Sequence, residues 1–176
     1  MTKIKSIYFF IFINIPFLAN AEEAASYIEE NKLIIQIQDV NREAEAWATC
    51  SAAYEIMSVI LKSTPAQARK IKDLSNGATI AVTMSHVTND LSEDISTEKL
   101  SALWAYSQHL AISIPETKKT MMLADAEVLG KDGAELFVEK ITKTVEACMK
   151  NLDGQQIYID SWRELAKSGL LQFSNK

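Results

Sequence analysis

From Glu22 to Thr64 the chain contains neither glycine nor proline. Nothing in that run breaks a helix, and its side chains recur accordingly. Leu33, Ile37, Val40, Ala44, Trp47, Ser51, Tyr54, Ser58 and Leu61 follow one another at alternating steps of four and three. That spacing lays them along one stripe of an α-helix. The row Ala46, Cys50, Ala53, Met57 and Ile60 lies beside the stripe and widens the buried face. A helix of about 30 residues, rising about 1.5 Å per residue, is near 45 Å long, so a long first helix is expected. Its small residues Ala44, Ala48, Cys50, Ser51, Ala52 and Ala53 would let a second backbone approach closely.

The remaining chain reads as more helices. Thr64-Pro65-Ala66-Gln67 starts the second, with Thr64 as N-cap, Pro65 at the first helical position and Gln67 closing a capping box. Ile71, Leu74, Ala78 and Val82 lie on one side of it, and Ile80, Met84, Val87 and Leu91 nearly opposite. That helix is therefore either sandwiched between layers or interrupted at Asn76-Gly77. Ser96 caps a third, with Leu100, Leu103, Trp104, Ser107, Leu110, Ala111 and Ile114 inward. Ser113-Ile114-Pro115-Glu116 repeats the cap pattern, so Pro115 predicts a kink or a fresh start. Met121, Ala124, Val128 and Leu129 continue the apolar side to Gly130.

Asp132-Gly133-Ala134-Glu135 opens the next helix, turning Phe137, Ile141, Val145 (or Thr144), Cys148 and Leu152 inward. Asp153-Gly154 is expected to separate it from a last helix through Tyr158, Trp162 and Leu165, closed by Gly169 as a left-handed cap. Sustained period-two alternation is absent after residue 21. The expected fold is all-α: an antiparallel bundle of five or six helices with a long first helix, forming a single domain over residues 22–176.

The N-terminus sets the compartment. Lys3 and Lys5 precede the apolar run Ile7–Leu18, and Ala19-Asn20-Ala21 follows it. This is the order of a secretory leader cleaved after Ala21. The run is shorter than the roughly 20 residues of a membrane span, so no stable span is expected once the leader is gone. The mature chain would be periplasmic or secreted. Without Lys3 and Lys5, 16 basic residues face 23 acidic ones, a net charge of −7 in place of −5. An acidic exported chain is poorly suited to nucleic acid or to anionic membrane surfaces.

In an oxidising compartment two cysteines on inward helix faces pair. Cys50 and Cys148 are therefore expected to form a structural disulfide. There is no CxxC pair, and neither cysteine has a histidine near it in sequence to act as base.

Signatures of nucleotide, hydrolase, zinc and calcium chemistry are absent, as is the ExxH pair of di-iron bundles, and no cofactor is expected. The methionines Met57, Met84, Met121, Met122 and Met149 read as core fillers rather than haem ligands. The acid pairs Glu29-Glu30 and Glu93-Asp94 read as charged helix starts rather than a catalytic couple. One polar stripe remains: Thr79, Thr83, His86 and Asp90. His86 and Asp90 could present an imidazole and a carboxylate to one metal, or form an oriented base; the bland reading is a solvated helix face. His109 is a second imidazole that could join them or stand half-exposed.

The aromatic end, Tyr158, Trp162 and Phe173, is either a lid on the core or a docking edge for a partner. On this reading the protein is an exported, non-enzymatic binding or interaction module for a protein partner. The alternatives are a carrier of a small apolar ligand in the bundle interior and a metal-assisted enzyme centred on His86 and Asp90.

Overall fold

A computed structural model describes residues 24–91, 95–130 and 133–169. The expected leader, Glu93-Asp94, Asp132 and Phe173 lie outside the described residues. Among those described, helix is the only regular secondary structure and there is no strand. Five α-helices follow in order: α1 (Val40–Ile60), α2 (Pro65–Asp90), α3 (Thr97–Leu129), α4 (Ala134–Met149) and α5 (Leu152–Lys167). Short 3₁₀ turns occupy Ile34–Gln36 and Leu61–Ser63. No helix among the described residues is long and apolar enough to cross a membrane.

The first helix starts later than its periodicity predicts. It has 21 residues, and the longest helix is α3 with 33. Asp39 is extended, and its carboxylate accepts from the Asn41 and Arg42 amides, capping α1. Upstream, the Ile34 amide donates to Asn151 Oδ1 at 2.8 Å. That long-range bond holds Leu33–Ile37 out of the helix and buries Ile34, leaving Leu33 exposed.

The second helix is continuous through Gly77, which is a crossing point and not a break. A Cβ there would stand 2.1 Å from Gln155 Nε2 and 3.2 Å from Ile159 Cδ1 of α5. With α1 and α3 also packed on α2, both apolar phases are covered: Ala78, Val82, Met84 and Val87 are all buried. At its start Pro65 occupies the first turn as expected, but the Thr64 hydroxyl donates back to the Leu61 carbonyl at 3.0 Å and caps nothing.

Ser96 does cap α3, accepting from the Lys99 amide. Pro115 neither ends nor restarts that helix. Glu116 pairs with Lys119 at 2.6 Å, away from Ser113, whose carbonyl takes the Thr117 hydroxyl at 2.8 Å. The helix continues because buried positions lie on both sides of the proline: Ser107 and Ala111 before it, Met122 after. Met122 is three turns beyond Ala111 and in phase with it. The predicted Met121 points out, as does Val128.

The turn before α5 falls at Lys150-Asn151, and Gly154 lies inside the helix, buried against Ile35 and Trp47. Asn151 takes over the turn: its Nδ2 donates to the Ala147 carbonyl while Oδ1 holds Ile34. Gly169 follows α5 at φ +74°, in the left-handed region expected of it.

The core is built on α1. Trp47, Cys50, Ala53 and Tyr54 have no exposed surface, and the small residues of α1 bring α2 close enough for side-chain-to-backbone contact. Ser51 and Ser75 exchange hydrogen bonds with each other's carbonyls, and Ser51 also meets Thr79 Oγ1 at 2.9 Å. On another side of α1 the Cys50–Cys148 disulfide joins it to α4, with Cα atoms 5.6 Å apart. The sulfurs are consumed in that bond and leave no nucleophile.

A cleft beneath the N-terminal strap

Residues 24–39 form a strap laid over the helices, and four hydrogen bonds to three side chains fasten it. The Tyr27 amide donates to Thr144 Oγ1 at 3.0 Å, and Ser26 Oγ reaches the same oxygen at 3.4 Å. Asn151 holds Ile34 as described above. The Tyr27 hydroxyl donates to Asp125 at 2.9 Å. Lys140 donates to the same carboxylate oxygen and lies 4.0 Å above the Tyr27 ring. Hydrogen bonds from Lys140 and Tyr27 hold the Asp125 carboxyl below its usual range. Burial, reinforced by Asp125, pushes the Tyr27 phenol up.

Between strap and α1 lies a cleft of about 220 Å³. Ile28, Ile34, Ile37 and Ala46 give it an apolar floor. Lys118 of α3 crosses one end and donates to Glu45 of α1 at 2.9 Å. A second hollow of about 170 Å³ adjoins it there, sharing Tyr27, Thr49 and Lys118 and ending on Met121, Met122 and Asp125. At the other end the wall is charged. Lys32 and Arg42 border both the cleft and the shallow surface beyond it. Neither cation has an ion-pair partner among the described residues, and Glu29 on the same rim has none either. Asp39 is near, but its oxygen is engaged by the α1 amides.

The residues singled out in the sequence are dispersed. His86 is buried, with Nε2 lacking a hydrogen-bond partner. Burial holds its imidazole below the ordinary value, and the Asp90 charge opposes this only in part. Asp90 itself is exposed. The stripe is thus mostly buried rather than solvated: Thr83 is covered and Thr79 is half-buried in the seam with α1. The ring against His86 is Tyr106, edge-on at 6.3 Å, while His109 is exposed on α3. Among the described residues no three His, Cys, Asp or Glu side chains are gathered to hold a metal ion.

Tyr158 faces the core. It is buried against Trp47, the rings 6.2 Å apart and perpendicular, and its hydroxyl donates to Glu43 at 2.7 Å. Trp162 packs half-buried on the core. Glu43 is the residue that sequence reading passed over. It is buried on α1, accepting also from Trp47 Nε1 at 3.2 Å. Burial raises its pKa, and the two hydrogen bonds offset only part of that rise. The signal was present: residues 40, 43, 44 and 47 share one helix face, and an acid among them faces inward.

Comparison with family models, with curated proteins and with solved structures finds no match for this chain.

Proposed function

We propose that the mature chain is an exported, non-enzymatic binding module, an antiparallel helical bundle whose recognition surface is the cleft under the strap. The observation that carries this reading is the cleft's composition. An apolar floor is bordered by Lys32 and Arg42, neither of which has an ion-pair partner among the described residues. An enzyme centred on His86 gains little support, since its imidazole is buried and its carboxylate neighbour points to solvent. Carriage of a ligand in the interior is also less well served. Trp47, Tyr54 and Met84, the residue types expected to line such a cavity, are packed in the core, and the cleft offers a more accessible place.

The test is photo-crosslinking in the producing cell. A photoreactive residue replacing Ile37, on the cleft floor, is expected to give an adduct on the exported, leader-free protein. The same residue at the exposed Val59, at the C-terminal end of α1, is the control. Absence of an adduct at position 37, equal labelling at both positions, or retention of the protein inside the cell overturns the reading.

A further inference from the structure

We propose that the cleft takes a small amphipathic anion, a carboxylate carrying a short apolar chain. This rests on the cleft being the recognition surface and goes further by naming the chemistry of what enters it. The volume comes first. About 220 Å³, with about 170 Å³ more in the adjoining hollow, lies at the low end of the roughly 300–1,000 Å³ of pockets that enclose drug-sized ligands, so the occupant is small.

The floor comes second. Ile28, Ile34 and Ile37 offer no hydrogen-bonding side chain, so the part of the ligand lying on them is hydrocarbon. The gain from burying it scales with the apolar area removed from water.

The rim decides the head group. Lys118 and Glu45 neutralise each other across one end. At the other end two cations, Lys32 and Arg42, stand near two carboxylates, Glu29 and Asp39; neither cation is ion-paired among the described residues, while Asp39 is engaged by the α1 amides. The Arg42 guanidinium is a planar fork suited to two carboxylate oxygens, and Lys32 adds a point charge. Glu29 works against an anion and sets a limit on affinity.

The experiment is calorimetric titration of the mature, disulfide-bonded protein with octanoate, 1-octanol and acetate as separate probes. Octanoate is expected to bind, with octanol and acetate each at least about tenfold weaker. Lys32→Gln/Arg42→Gln is expected to weaken octanoate about tenfold or more, and Glu29→Gln to tighten it. Lys62→Gln/Lys70→Gln, which removes two exposed lysines lying outside the cleft lining, is expected to leave it unchanged. All four positions replaced in these double variants are exposed, so a thermal melt will confirm that each variant folds. The proposal is overturned if octanoate does not bind at millimolar concentration, if octanol binds as well as octanoate, or if the cleft double variant binds like the parent. A failure here alongside a specific adduct at position 37 removes the anion and leaves the binding surface. Octanoate binding without that adduct does the reverse.

Discussion

The two buried polar stations on α2 are handled in opposite ways. Toward α1, Ser75 and Thr79 meet Ser51, and each hydroxyl is engaged. Farther along, His86 is buried against the edge of Tyr106 from α3 with Nε2 unpartnered, and the next residue of α3, Ser107, is fully buried with its hydroxyl unpartnered too. A net hydrogen bond contributes about 0.5–1.5 kcal/mol, whereas a buried polar group left unpaired costs about 1–3 kcal/mol. The first station therefore fixes how α1 and α2 sit on each other. The second costs stability and specifies little.

The disulfide gives the scale against which both stations are judged. Cys50→Ala/Cys148→Ala should destabilise the protein by about 2–5 kcal/mol in urea unfolding, since the bond spans 98 positions. Next in size is Glu43→Ala, expected to cost about 2–4 kcal/mol because the Trp47 and Tyr158 donors lose a shared acceptor. Ser75→Ala should cost about 1–3 kcal/mol, and Ser107→Ala should change stability by less than about 0.5 kcal/mol or raise it. Equal losses at Ser75 and Ser107 would break the distinction between the stations.

Titration sharpens it further. His86 has a lowered folded pKa, so the unfolded chain takes up its proton first. The stability His86 contributes is present above its ordinary value of 6.5 and is lost as pH falls from there toward the folded value. Glu43 has a raised folded pKa and acts with the opposite sign. Its contribution is present below its ordinary value of 4.5 and is lost as pH rises through the folded one. Unfolding midpoints measured across this range should show His86→Gln removing the loss on acidification from 6.5. Glu43→Gln should remove the loss on raising pH above 4.5. The smallest effect is expected for Lys72→Ala, whose exposed pair with Glu55 is worth about 0.2–1 kcal/mol. Burial disfavours the Glu55 charge, but hydrogen bonds from Lys72 and from Lys119 outweigh it and hold its pKa low, so one partner remains after the substitution.

What could be read from the sequence were the features set by local chemistry. Helical periodicity, the Ser96 cap, Pro65 in a first turn, Gly169 after a last helix and two inward cysteines each depend on residues within a turn or two of one another. Several points that the sequence misread or left open were decided by long-range contact. Asn151 pulls Ile34 out of the first helix, α5 covers Gly77, and core positions on both sides of Pro115 carry α3 through it. Glu43 was missed because an acid was assumed to be solvated, although its neighbours face inward. The cleft had no local signature at all. Its floor includes Ile37, whose spacing imitates a helix start, and it depends on the strap being fastened by Asp125, Thr144 and Asn151.

That fastening has a consequence for how the molecule is made. Tyr27 and Ile34 leave the ribosome well before the groups that hold them, which lie 117 positions later. Until those groups arrive, the strap keeps only its Tyr27–Asp125 hydrogen bond to α3. A nascent chain halted before α4 would carry every cation of the rim and lack two of the three side chains that fasten the strap over the hollow.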